Sequence, residues 1–328
     1  MKGPITISII APVYRVERYI GRFTESVCGQ SYPHIELIVV NDQTDDSSID
    51  MLNELVQTRY PGFKDKVRIV DQPHAGLPAA RRTGLKYATG DYVWHVDPDD
   101  WLEAYAAQKI AECASRTDAD VIYFDFFKEF GRRTEVKLEK DYDSSMKREY
   151  QMSMYAHKSS GAVWNKCVKR RIYVENTIYS PDYSHAEDAF MVFQLVGYAG
   201  SLCHLNESLY HYRKDNPVAL TRQSKNRRCR DMIFNYMNLY ELYRNSPFNP
   251  VDFIMDDVFY RAGRYSLRYG LGLFDEFPYL ADKISEAGIR SDIYTSIPMQ
   301  LILKVYASLR RRKSSRRKLH RLWDHRHM

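Results

Sequence analysis

Two rhythms of apolar and polar residues alternate along the first half of the chain. Short apolar runs, Ile5–Ala11, Ile35–Val40, Val67–Val70 and Tyr92–Val96, are each bounded by turn-forming residues. Strands buried on both faces read this way. Between them the apolar positions recur at helical spacing. Tyr19, Ile20, Phe23 and Val27 share one face of a helix predicted over about 16–28. Thr44, Asp45 and Asp46 cap a second over about 47–58, and 75–88 reads as a loop entering a third. The alternation βαβαβαβ predicts a parallel sheet with helices on both faces. Pro12 is expected to end the first strand. Further on, the pattern predicts a helix over 102–116, a strand over 119–124, a loop or hairpin over 128–150, an apolar helix opened by Glu187-Asp188 and a strand over 209–213. Beyond about 222 it is helical and aromatic-rich.

The predicted strands end in chemically interesting groups: Pro12-Val13-Tyr14, Asn41-Asp42, Asp71 and Asp97-Pro98-Asp99-Asp100. Ligands of open α/β sheets bind beyond the carboxyl ends of the strands. Asp97 and Asp99, separated by a stiff Pro98, can offer hard oxygens to a divalent cation that in turn holds a diphosphate. A plain turn and helix cap would use the same residues. No GxGxxG follows the first strand and no GxxxxGK[ST] occurs, so neither a dinucleotide fold nor a P-loop is supported.

Length and composition change the picture in four places. At 328 residues the chain is long for one core, which predicts a large domain with an appendage or two domains. Its five cysteines are scattered and form no CxxC pair, which points to a reducing compartment and away from a zinc site. With no signal-like start and no apolar run of membrane-spanning length, the expected location is cytoplasmic. The net charge of +6 is misleading: residues 301–328 carry +9 and the remainder −3. Leu301, Val305 and Leu309, then Leu319, Leu322 and Trp323, lie among Arg and Lys as the apolar face of a basic amphipathic helix. Such a helix suits the anionic inner face of a plasma membrane. A solvated basic tail is the alternative, and no specific nucleic-acid partner is implied.

Taken together, the motifs resemble the inverting family-2 glycosyltransferases of GT-A fold that build bacterial capsule and exopolysaccharide. The resemblance covers roughly 5–215. Ile9-Ile10-Ala11-Pro12-Val13-Tyr14 is similar to the opening strand and base loop, and Val39-Val40-Asn41-Asp42 to the second-strand motif, whose Asp42 would contact the base. Gly76-Leu77-Pro78-Ala79-Ala80-Arg81 resembles the helix-opening motif, with Arg81 on the pyrophosphate side. Asp97-Pro98-Asp99 matches the DxD metal motif, and Trp164-Asn165-Lys166 and Glu187-Asp188 match acceptor-side motifs. Gln43-Thr44, His74-Ala75 and Arg82 depart from the family's Gly-Ser, Asn-Gly and Asn.

The resemblance implies a GT-A, Rossmann-like, mostly parallel sheet over 1–215, a helical region over 216–300 and the basic tail over 301–328. It implies Mg²⁺ or Mn²⁺ on Asp99 with Asp97, and a nucleoside-diphosphate sugar, UDP-linked by family frequency, held by Tyr14, Asp42, Asp71 and Arg81. Asp188 would be the general base with Glu187 beside it, and Trp164 and Lys166 would face a glycan or lipid-linked acceptor. Blander roles compete. Glu187-Asp188 can be helix-terminal charge, Arg81 and Lys166 surface charges, Asp71 a loop acid and Trp164 a packing aromatic. A non-catalytic scaffold or a sugar nucleotidyltransferase are the rival functions. The latter normally carries a Gly-rich loop after the first strand, which is missing here.

Overall fold

The computed structural model describes residues 3–181, 187–217, 225–246, 249–269 and 272–286. The basic segment 301–328, on which the membrane expectation rests, lies outside the described residues. Two compact units divide the chain, at 222/223.

In the first unit, strands β1 (Ile7–Val13), β2 (Ile35–Asn41), β3 (Val67–Asp71) and β4 (Tyr92–His95) alternate with helices α1 (Glu17–Cys28), α2 (Ser48–Arg59) and α3 (Leu77–Tyr87). All four strands are parallel, in the order β3-β2-β1-β4. Their apolar runs are sealed on both faces: β1 is buried throughout, and Phe23, Leu37, Val39, Leu52 and Trp94 share one core. Pro12 lies inside β1 instead of ending it. Ile10 and Val13 direct their carbonyls to opposite neighbours, Val96 and Asp42, so position 12 faces the β4 side. Pairing with β4 stops at Ile10, and the missing N–H of proline therefore breaks no ladder bond.

The rest of the sheet departs from the expected pattern. Trp101–Leu102 is a short strand, β5, and helix α4 (Ala106–Thr117) begins only after it. Strand β6 (Val121–Glu129) turns through Gly131 into the edge strand β7 (Thr134–Lys137), followed by helix α5 (Lys147–Tyr155). Lys166–Lys169 forms β8, an antiparallel strand wedged between β4 and β6. After helices α6 (Arg170–Glu175) and α7 (Glu187–Tyr198), β9 (Leu202–Arg213) pairs parallel with β6 and antiparallel with β5. The result is a curled, mostly parallel sheet, β3-β2-β1-β4-β8-β6-β9-β5.

The second unit contains helices α8 (Lys225–Tyr243), α9 (Met255–Tyr269), α10 (Leu273–Glu276) and α11 (Leu280–Glu286). They pack through Phe234, Met237, Val258, Phe259 and Leu280. Among the described residues no helix is long and apolar enough to cross a membrane.

Candidate active site

Helix α3 sets the centre of the site. It packs against β1 and β2 with Pro78, Ala80, Arg81 and Gly84 buried. Gly84 allows that approach: a Cβ there would overlap Ile10 Cγ2 and press on Val40 Cγ2 at 3.2 Å. One turn earlier, Arg81 is carried inside the molecule at 1% exposure. Its Nη2 donates to Asp97 Oδ1 at 2.8 Å, and its Nη1 donates to Glu187 Oε1 at 3.0 Å and to Asp188 Oδ1. A single guanidinium thus joins the end of β4 to the start of α7. Burial alone would lower the Arg81 pKa, but Asp188, Asp97 and Glu187 outweigh it and raise it. Arg81 Nε, both ring nitrogens of the buried His95 and the Tyr173 hydroxyl have no hydrogen-bond partner among the described residues.

The turn after β4 is anchored to β9. Asp100 is buried and accepts the Tyr210 hydroxyl and the Arg213 N–H, each at 2.7 Å. The Asp97 N–H donates to the same Tyr210 oxygen at 3.1 Å, and Arg213 Nε donates to the Asp99 carbonyl. Asp99 Oδ2 accepts from Asn216 at 2.8 Å. Trp101 closes the turn, with Arg22 Cζ 3.3 Å from its ring centroid and His211 stacked at 4.8 Å.

Burial raises the carboxyl pKa values of this cluster. Asp97 is pushed up to about 6, against the pull of Arg81 and with help from Asp188 and Asp99. Asp99 is also raised, and Asp100 and Glu187 lie well above the usual carboxylate range. Positive charge is in short supply. Five acids, Asp97, Asp99, Asp100, Glu187 and Asp188, gather around Arg81 and Arg213.

A second polar cluster lies at the end of β2. Asp42 is buried and turned onto the loop after β3. Its Oδ1 accepts Gln72 Nε2 at 2.6 Å and the Ala75 N–H at 2.9 Å, and its Oδ2 accepts the Gly76 N–H at 2.9 Å and faces His74 Nδ1 at 2.8 Å. The His74 ring stacks on Tyr14 at 4.2 Å. Exposed Asp71 accepts from Asn41.

Comparison with known proteins decides what the arrangement belongs to. The model of the family described as "Glycosyl transferase family 2" matches residues 8–176. The chain belongs to glycosyltransferase family 2. Among its curated relatives are the putative glycosyltransferase EpsH and the uncharacterized glycosyltransferase EpsJ, both of Bacillus subtilis. EpsH is 29% identical over 63% of this chain and 60% of its own length. EpsJ is 31% identical over 66% and 62%. The chain thus spans roughly three fifths of each of these relatives. In structure it is similar to S. aureus TarS 1-349, solved in complex with UDP-GlcNAc, with TM-score 0.63 and 18% identity over 86% of this chain and 80% of that one. The mannosyltransferase PcManGT of Pyrobaculum calidifontis, in complex with GDP-Man and Mn2+, gives TM-score 0.53 at 15% identity, over 94% of this chain and 81% of that one. These likenesses establish the GT-A architecture.

Several family expectations change in this member. Pro12 and Val13 are buried within β1, leaving Tyr14 as the ring at its mouth. Asp42 spends both carboxylate oxygens on the loop after β3 and shapes it from beneath. Two departures from the family pattern are coupled: Gln43, at φ 56 where the family usually has Gly, accepts the His74 N–H through Oε1 at 3.0 Å. That bond helps offset the roughly 1 kcal/mol a side chain costs in left-handed backbone. Arg81 is a buried counter-charge, not a surface cation. Trp164 and Lys166, expected on the acceptor side, are both buried. Trp164 is stacked on Tyr210 at 4.5 Å within the core. Lys166 is 1% exposed and donates to Ser160 O, Ala162 O and Asn165 Oδ1; burial lowers its pKa to about 7. It braces 160–165, where the Val163 N–H makes a long 3.4 Å bond to Asp188 Oδ2. Nothing in the local pattern marks Tyr210, Arg213 and Asn216 as the residues that position the acid turn; their sequence signal is the polar-aromatic end of β9 and the residues just after it.

Proposed function

We propose that the chain is an inverting glycosyltransferase that moves one sugar from a nucleoside-diphosphate donor to a glycan or lipid-linked acceptor. The observation that carries this reading is the Arg81 bridge, which brings the DxD carboxylate Asp97 and the acid pair Glu187-Asp188 into one charge cluster. Donor and acceptor chemistry need that proximity.

A divalent cation suits the residues present. Asp97 meets Arg81 through Oδ1 and Asp99 meets Asn216 through Oδ2, both side chains are partly exposed, and burial raises both carboxyl pKa values. No group of three or more ligating side chains is pre-assembled among the described residues. Two carboxylates with a donor diphosphate are the ligand set that Mg²⁺ or Mn²⁺ accepts. Bound there, the cation would supply Lewis-acid neutralisation of the leaving diphosphate.

The chain's own residues divide the remaining work. Asp188 binds Arg81 through Oδ1 and keeps Oδ2 almost free to take a proton. The acceptor hydroxyl oxygen forms a bond to the anomeric carbon as the carbon–diphosphate bond breaks, and its proton passes to Asp188 Oδ2. Glu187, its pKa raised by burial and by Asp188, shares Arg81 with the base and holds the guanidinium in place. Tyr14 and the Asp42-held loop cradle the base, for which uracil is proposed. The basic 301–328 segment brings the protein to an anionic membrane surface.

Thermal unfolding against UDP, GDP and dTDP, with and without Mn²⁺, tests the donor half, since ligand binding to the native state raises the midpoint. A metal-dependent rise for UDP that disappears in Asp99→Ala supports it; no rise with any diphosphate removes it. Asp188→Asn should keep the rise and lose transfer by about 10²–10⁴-fold. Unimpaired transfer in that variant would eliminate Asp188 as the base.

A further inference from the structure

We infer that Cys113 and Cys203 are an oxidation-sensitive thiol pair, a site at which a peroxide links α4 to β9 through a disulfide. Cys113 lies near the carboxyl end of α4 and Cys203 near the start of β9, which packs against that helix. Their Sγ atoms are 3.2 Å apart. A disulfide needs about 2.05 Å, so a closure of about 1.2 Å, divided between two unbranched side chains, completes the bond. The approach is specific to this pair. Cys28 and Cys167 are buried with no sulfur hydrogen-bonded to another cysteine among the described residues, and Cys229 belongs to the second unit.

The surroundings favour reaction. Cys203 is half-buried and is the sulfur a small oxidant reaches, while Cys113 sits beneath it at 2% exposure. One thiol hydrogen-bonds the other, and the Thr117 hydroxyl lies 3.9 Å from Cys113 Sγ. The hydrogen bond with Cys203, aided by Thr117 and Arg116, draws the Cys113 pKa down to about 6 despite burial. The first proton therefore leaves the pair readily and the second is held.

The chemistry balances in two steps. The sulfur of Cys203 attacks the O–O bond of hydrogen peroxide as its proton passes across the hydrogen bond to the Cys113 thiolate: an S–O bond forms, the O–O bond breaks, and the departing hydroxide takes a solvent proton to become water. Cys113 Sγ then attacks Cys203 Sγ. The S–S bond forms, the S–O bond breaks, and the hydroxyl leaves as a second water carrying the Cys113 proton. Two thiols are oxidised and one peroxide is reduced. The bridge spans 90 positions of sequence, enclosing β6, β7, β8 and the acid pair of α7, so it restricts the unfolded chain strongly.

The test uses the full chain in its reduced form, treated with one equivalent of hydrogen peroxide, then unfolded in urea, alkylated with iodoacetamide and digested without reductant. The expected product is a Cys113–Cys203 cross-linked peptide lacking two hydrogens, with Cys28, Cys167 and Cys229 alkylated. Its thermal midpoint should rise by about 10 °C, as a long closed loop predicts, and dithiothreitol should return it. Alkylation of both Cys113 and Cys203 overturns the inference, as does Cys203 arrested as sulfinic acid or a bridge to any other cysteine.

Discussion

Replacing Arg81 by methionine isolates the charge at the heart of the site. The side chain is nearly as long and stays apolar in the same channel, so packing is largely conserved. Removed are the ion pairs to Asp97, Glu187 and Asp188. Breaking a buried pair by deleting one partner costs about 3–5 kcal/mol, because the stranded charge stays buried. Glu187 softens this, since burial raises its pKa well above the usual carboxylate range and so lightens the charge left behind. Asp97 and Asp188 remain, so the lower half of that range is expected at pH 8. At about 2–4 °C per kcal/mol for a unit of this size, the midpoint falls by roughly 10 °C. The pH dependence gives the sign. Asp97 is already raised to about 6 in the native state, above its unfolded value of about 3.9. Such a group stabilises the fold most below pH 4 and loses that contribution as pH rises through 6. Without Arg81 the folded-state carboxyl pKa values climb further, so the deficit should be small at pH 5 and grow towards pH 8. Thermal and urea unfolding of both proteins at pH 5 and pH 8, with a chelator present, measures it. A loss under about 1 kcal/mol at pH 8, or an equal loss at both pH values, refutes the argument: Arg81 would then be filling space and not neutralising charge.

Other perturbations read neighbouring links of the same chain. Gly84→Ala should lift α3 from β1 at Ile10 and from β2 at Val40, costing about 1–3 kcal/mol by overpacking; urea unfolding measures it, and donor affinity should fall with it because Arg81 rides on the same helix. Asp42→Ala deletes the acceptors for Gln72, Ala75 and Gly76, so diphosphate binding by calorimetry should weaken at least tenfold, by about 1.4 kcal/mol or more. Lys166→Met strands the carbonyls of Ser160 and Ala162 and should cost about 1–3 kcal/mol at pH 7. Because burial lowers the Lys166 pKa to about 7, the folded wild type binds fewer protons than the unfolded chain between pH 7 and 10. Its stability therefore climbs across that window, and unfolding midpoints should show the climb missing in the variant.

Local pattern accounts for what was legible beforehand. The alternation from β1 to β4 stands in single apolar runs and helical stripes, each readable within some fifteen residues, because burial on two faces or on one stripe leaves its period in the sequence. The acid turn after β4 was visible for the same reason: a buried strand stops abruptly at carboxylates. Pairing was not legible. Lys166–Lys169 looks like a charged loop, yet it fills the gap between β4 and β6 as an antiparallel strand, and Trp101–Leu102 joins β9 across more than a hundred residues. Ladder partners are chosen by three-dimensional fit, and nothing local records them. The same holds for roles within the site. Sequence named Arg81, Asp97, Glu187 and Asp188 separately; only the fold, bringing positions 106 apart into one ion pair, made a single buried charge answer three acids. It likewise turned Lys166 and Trp164 from surface groups into core, since whether a charge faces water or carbonyls depends on what packs over it.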